Sequence, residues 1–119
     1  MARTTRAVIA VGAVGVNLED GTGGPERPLA DSAAQVAKIR AVREAAAATG
    51  VALVLNARTD VYWLAAGDAD GRFAAAVERL RAYRAAGADC LFVPGVGNGE
   101  TIGRLVRAVD GPLNVLASV

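Results

Sequence analysis

Leu53-Val-Leu-Asn-Ala-Arg-Thr-Asp60 begins as an apolar strand and closes on polar side chains. Side chains alternate along a strand, so Asn56, Arg58 and Asp60 share one face, while Leu55, Ala57 and Thr59 share the other. An amide, a guanidinium and a carboxylate at the end of an otherwise apolar strand are costly to bury without partners. The C-terminal ends of strands are where parallel α/β proteins bind ligands. Ala13-Val-Gly-Val-Asn-Leu-Glu-Asp20 ends the same way, with Asn17 and Glu19 on one face. An Arg and a Glu at neighbouring strand ends read as an anion-plus-metal site. A buried ion pair between the strands accounts for the same two residues equally well.

Outward from these strands the chain repeats one unit: amphipathic helix, glycine, short apolar strand. The glycines are Gly12, Gly50, Gly87 and Gly111, and the expected strands are Ala13–Asp20, Val51–Asp60, Asp89–Gly95 and Pro112–Ala117. Glycine just past a helix end supplies a left-handed cap. Four such units predict parallel strands in sequence order, joined by right-handed crossovers, with helices on one side. The first helix is expected from Thr4 to Val11. The second has Ser32 as cap, Gln35 in the capping-box position, and Val36, Ile39, Val42 and Ala46 as its stripe. Asp70 is the expected cap of the third, which turns Phe73, Ala76, Val77 and Leu80 to the sheet. The fourth runs from Glu100 to Val109 and buries Ile102, Leu105, Val106 and Val109. Long loops follow the strand ends and tight turns precede the strands, the plan of a barrel with its site on top.

Composition narrows the chemistry. The 119 residues suffice for one domain, and a net charge of +1 implies no polyanionic partner. Tyr62, Trp63 and Tyr83 are too scattered for a base-stacking platform, so no nucleic acid is expected. Histidine is absent, which removes Ser-His-Asp and Cys-His catalysis and His metal ligands from this chain. The single Cys90 forms no internal disulfide, in keeping with a cytoplasmic protein, and reads as core filler. Twelve of the thirteen basic residues are arginine, a bias of GC-rich bacterial genomes. The apolar run Ala7–Val16 leads directly into Asn17-Leu-Glu-Asp20, as helix, glycine and strand rather than a secretion signal, and no membrane span is expected. Gly21, Gly23 and Gly24 suggest a mobile lid. Asp20 reads as a loop anchor and Asp60 as a structural partner of Arg58 or of loop amides.

Gly15-Val-Asn-Leu-Glu-Asp20, Gln35-Val-Ala-Lys-Ile-Arg40, Leu55-Asn-Ala-Arg-Thr-Asp60 and Ala86-Gly-Ala-Asp-Cys-Leu-Phe-Val-Pro94 together resemble the isocitrate lyase / phosphoenolpyruvate mutase superfamily, in order and spacing, over nearly the whole chain. The likeness is greatest to its phosphonomutase-like and oxaloacetate-decarboxylase-like members. It implies a (β/α)8 barrel, of which residues 1–119 would form one partial domain. That domain would hold about the fourth to seventh strands, without the N-terminal half or the last strand–helix unit. It implies Mg2+ and a small 2-oxo or 2-hydroxy carboxylate, with C–C or P–C bonds cleaved or rearranged through an enolate. Glu19 matches the acidic residue that holds Mg2+, commonly through water, and Arg58 the substrate-gripping arginine. Asn56 is a further substrate contact, and the full-length form is expected to be a homo-oligomer. The Asp-rich strand end that carries the family's main metal carboxylates would precede residue 1. The loop Gly21–Pro28 has neither the Lys nor the Cys of the lyases, and Pro94-Gly95 stands where they tend to place a Glu. The competing expectation is an inactive fragment, or a half-barrel that assembles with another chain.

Overall fold

The computed structural model describes residues 1–116. Helices and strands alternate: α1 (Ala2–Ala10), β1 (Gly15–Glu19), α2 (Ser32–Thr49), β2 (Val54–Arg58), α3 (Ala69–Ala85), β3 (Cys90–Val93), α4 (Gly99–Ala108) and β4 (Leu113–Val115). The strands form one parallel sheet in the order β1-β2-β3-β4. The sequential order has no switch point, as consecutive β/α units of a barrel require.

The sheet's two faces follow the alternation in sequence. Leu55 and Ala57 of β2 and Leu91 and Val93 of β3 are fully buried. They pack against Ile39 and Val42 of α2, Ala76, Leu80 and Tyr83 of α3, and Leu105 of α4. Asn17, Asn56, Arg58 and Phe92 lie on the opposite, more open face. At the strand starts Arg43 donates to the carbonyls of Gly87 and Leu53 and pairs with Asp89. Burial alone would raise the Asp89 carboxyl, but the Leu55 amide and Arg43 bring it below its usual range. Gly50 closes α2 in the left-handed conformation at φ 74°, where a Cβ would be strained.

Several local expectations are corrected. The strands are shorter than the apolar runs that contain them, and Ala117 lies outside the described residues. The first helix begins at Ala2, with the Thr5 hydroxyl bonded to the Met1 carbonyl. Asp31, not Ser32, is the N-cap of α2, and it makes no side-chain cap. Gln35 does not reach back to form a capping box. It is fully buried and donates to the Leu18 carbonyl at 3.3 Å, tying α2 to the end of β1. Asp68 rather than Asp70 caps α3, accepting from Gly71 N at 2.7 Å. Val106 is 51% exposed. The roughly 100° between successive helical residues turns it away when Leu105 faces the core.

Candidate functional site

Glu19 and Arg58 end neighbouring strands and are in register, with Phe92 and then Asn114 completing the row. Arg58 donates through Nε to Asp60 Oδ1 at 2.6 Å, and Glu19 Oε2 lies 3.3 Å from the same nitrogen. Among the described residues its two terminal nitrogens make no hydrogen bond, so the outer fork of the guanidinium is unengaged. The guanidinium carbon lies 5.5 Å from the centre of the Phe92 ring and 6.0 Å from that of Trp63. These distances suit cation–π attraction, which fixes a planar group's orientation. In front of it is a cleft of about 450 Å3, lined by Glu19, Arg58 and Asp60 together with Pro25, Trp63 and Leu64.

The support behind this row is buried. Asp20 is fully buried. Its Oδ1 accepts from the Asp60 amide at 2.8 Å, and its Oδ2 from Tyr83 Oη at 2.7 Å and Arg79 Nη1 at 3.0 Å. Burial, and then the hydrogen bond to Asp20, push the Tyr83 phenol well above its usual range. Burial opposes the charged form of Arg79, but Tyr83 and Asp20 together hold its pKa above the ordinary value. Asp20 therefore anchors the loop and the backbone of Asp60, whose carboxylate in turn orients Arg58. A Cβ on Gly21 would sit 2.3 Å from Asp60 Oδ2, so the close approach of loop and carboxylate depends on glycine. The loop's base is tied by Thr22 N to the Pro28 carbonyl at 2.9 Å and Ala30 N to the Asp20 carbonyl at 2.8 Å.

Trp63 and Leu64 are carried on a turn fixed from several directions. Leu64 N bonds the Asp60 carbonyl at 2.9 Å and Ala66 N the Val61 carbonyl at 3.0 Å. Arg72 donates to the carbonyls of Ala65, Ala66 and Gly67. From the next loop Gly95, at φ +88°, packs so closely that a Cβ would lie 2.9 Å from Trp63 N.

Asn56 lies one layer deeper on the same face. Its amide nitrogen donates to Asn17 Oδ1 at 2.8 Å, and its oxygen accepts from Asn114 Nδ2 at 3.1 Å. It lines a separate shallow depression of about 340 Å3 with Gly15, Asn17 and Cys90, not the Arg58 cleft. Glu19 and Arg58 are thus brought together, and Asn56 stands apart from their cavity. Sequence reasoning missed Trp63, Phe92 and Asn114. Phe92 was findable, since it shares the open face with Cys90 and falls opposite Arg58. Trp63 depends on the geometry of its turn, which no periodicity reports.

The donor set bears on metal. Among the described residues no group of three or more His, Cys, Asp or Glu side chains could hold an ion. Asp20 is buried on its own partners and Asp60 is engaged by Arg58. Glu19, with its side chain 54% exposed, is the carboxylate with room for a water-mediated ion. No described helix is long and apolar enough to cross a membrane.

The sequence pattern of the phosphoenolpyruvate phosphomutase family matches residues 1–119. An uncharacterised protein of Mycobacterium tuberculosis is 33% identical over 102 residues, which are 86% of this chain and 36% of that protein. A candidate phosphonomutase from Burkholderia cenocepacia superposes with a TM-score of 0.87 at 39% identity, covering 99% of this chain and 49% of its own. A 2,3-dimethylmalate lyase of the phosphoenolpyruvate mutase/isocitrate lyase superfamily does so with a TM-score of 0.79 at 32% identity, covering 96% of this chain and 38% of its own. The chain therefore spans half or less of the length of each of these relatives.

Proposed function

The chain belongs to the phosphoenolpyruvate phosphomutase family, and from that premise we propose that its strand ends bind the carboxylate of a small 2-oxo or 2-hydroxy acid. The reaction would be a Mg2+-dependent lyase, mutase or decarboxylase step on a C–C or P–C bond, passing through an enolate. The observation that carries the reading is the unengaged fork of Arg58. Its Nε is held by Asp60 and Glu19, its plane lies near two rings, and the residue lines the cleft. A planar carboxylate meets two parallel N–H donors there, an arrangement a lysine ammonium cannot reproduce.

Charge supports a cation in the same site. One guanidinium faces two carboxylates, so the row is formally negative and repels a bare anion. A divalent ion reverses that balance. The residues fit such an ion only in part: Glu19 would meet it through water, and further oxygens would come from substrate, solvent or groups beyond the described residues. When bound, the ion would supply Lewis-acid stabilisation of the developing oxyanion. The chain's own residues hold the carboxylate at Arg58, keep Arg58 in place through Asp60 and Asp20, and narrow the cleft with Trp63. Asn56 remains the candidate for a second substrate contact one layer below.

A second reading is favoured by the sheet's edges. Among the described residues β1 and β4 each have one unpaired side, an invitation to association. In it the chain pairs with a second copy or with another chain, and the complete site lies in that assembly.

Titration calorimetry of this chain with pyruvate, with and without Mg2+, tests the first reading. Mg2+ should strengthen binding, and Arg58→Lys should weaken it by tenfold or more. Mg2+-independent binding that Arg58→Lys leaves unchanged would overturn it. Mg2+-dependent release of pyruvate or CO2 from oxaloacetate then decides whether this chain turns over by itself.

A further inference from the structure

Two of the largest exposed apolar side chains in the molecule stand side by side on the rim of the Arg58 cleft. Trp63 is 57% and Leu64 41% exposed. Isolated exposed apolar residues need no explanation, but adjoining ones beside a polar cleft mark a binding surface. Their exposure is held in place by the turn around them. Arg72 ties three of its carbonyls, and Asp20 fixes the Asp60 amide where it starts. Gly95 wedges against the Trp63 backbone at a distance no other residue allows. These contacts hold the turn with its apolar side chains exposed on the rim of the cleft. Pro25 faces the same cavity from the opposite loop.

The cleft therefore has both charged and apolar lining, with Glu19, Arg58 and Asp60 beside Pro25, Trp63 and Leu64. Its volume of about 450 Å3 is within the range of drug-sized ligand pockets. A three-carbon acid held at Arg58 would leave the apolar lining wet.

Resting on the carboxylate reading of Arg58, we propose that the site selects acids that carry a branched or extended apolar group beside the carboxylate. That group packs on Trp63 and Leu64, which makes these two residues the specificity determinants. The carboxylate sets the anchor and the wall sets the length. Since Arg58 lies 6.0 Å from the Trp63 ring, the wall starts beside the anchor, and the first carbons after the carbonyl would already touch it.

The test uses this chain, saturating Mg2+, and a series of 2-oxo acids: pyruvate, 2-oxobutyrate, 2-oxopentanoate and 4-methyl-2-oxopentanoate. Trp63 is the only tryptophan in the chain, so its fluorescence reports occupancy directly, and calorimetry gives the affinities for every variant. Affinity should rise about two- to fourfold with each added methylene. Trp63→Ala, and to a smaller extent Leu64→Ala, should flatten that dependence. A flat series in the unmodified chain, with all binding still lost in Arg58→Gln, would overturn the wall and leave the carboxylate anchor standing. Affinities that Arg58→Gln leaves intact would overturn the anchor, and the wall with it. Sedimentation provides the remaining arm: if Trp63→Ala dissolved an oligomer without changing the series, the exposed pair would be a protein interface and the proposal would be wrong.

Discussion

Glu19 and Asp20 are consecutive, each meets an arginine, and the two pairs differ in almost everything else. Glu19 turns to the open face and lies 3.3 Å from Arg58, with its side chain 54% exposed. Asp20 turns to the helix side, where it is fully buried and bound to Arg79, Tyr83 and the Asp60 amide. The alternation of a strand end thus makes two arginine–carboxylate pairs from two neighbouring residues. In the rear pair the carboxylate's donors converge from α3 and the Asp60 backbone, the pattern of a structural joint. In the front pair the guanidinium keeps its outer nitrogens unengaged before a cleft. A buried carboxylate with its donors in place fixes geometry, whereas unengaged donors on an open face are available to a ligand.

Removing the rear carboxylate should break the comparison most visibly. Asp20→Ala leaves the partly buried Arg79 without its charge partner and strips the Asp60 amide and the Tyr83 hydroxyl of their acceptor. Loss of one member of such a pair costs about 3–5 kcal/mol, a large share of the roughly 5–15 kcal/mol that holds a typical domain. Urea denaturation followed by circular dichroism should show much of the protein unfolded without denaturant. A change under about 1 kcal/mol would mean that the rear pair is no more structural than a surface ion pair.

Gly21→Ala probes the seam between the two regions. The new methyl would sit 2.3 Å from Asp60 Oδ2, so either the loop or the carboxylate must move. Overpacking of this kind costs about 1–3 kcal/mol. If the carboxylate moves, Arg58 loses its fixed Nε partner and pyruvate affinity falls as well. Full retention of both stability and affinity would show that the loop yields freely and does not position Asp60.

The buried phenol adds a pH signature. Tyr83 titrates higher in the fold than the roughly 10 of an unfolded tyrosine. Its contribution to stability is therefore complete below about pH 10 and is lost as pH rises toward the folded value. Alkaline unfolding monitored by circular dichroism should show this slope, and Tyr83→Phe should reduce it. The slope should not vanish, because partial burial also raises Tyr62, against the opposing charges of Arg72 and Arg104. An unchanged alkaline slope in Tyr83→Phe would place the coupling elsewhere.

Much of the front face was legible in the chain. Alternation placed Arg58 and Glu19 on one side, the glycine punctuation gave four parallel units in order, and Asp60 was expected to bond Arg58 or loop amides, of which Arg58 is its partner. The rear joint was half visible. Asp20 read as an anchor, but Arg79 and Tyr83 lie about sixty residues away on α3, and no local period links a helix face to one strand-end carboxylate. Capping was misread for a related reason. Gln35 has the right spacing for a capping box, yet its side chain is fully buried and its amide is taken by the Leu18 carbonyl beneath the helix. Trp63 was visible as a residue but not as part of the site, since its place beside Arg58 follows from a turn closed by Arg72 and Gly95.

The smallest stability effect, with the most informative sign, belongs to Glu19→Gln. Arg58 keeps Asp60 at 2.6 Å, and an ion pair this exposed contributes about 0.2–1 kcal/mol at most, so denaturation should barely change. Ligand binding should change in two opposite ways. Without Mg2+ the variant loses a negative charge beside the fork, so pyruvate should bind more tightly than to the unmodified chain. Two unit charges about 4 Å apart in water interact by about 1 kcal/mol, which corresponds to roughly a fivefold gain. With Mg2+ the order should reverse, because the carboxylate that would hold the ion through water has gone. Crossing affinity curves from calorimetry would identify Glu19 as a charge that repels the substrate until a cation covers it. Mg2+ enhancement equal in both proteins would instead make Glu19 a partner of Arg58 alone, and the front pair would differ from the rear one in exposure but not in purpose.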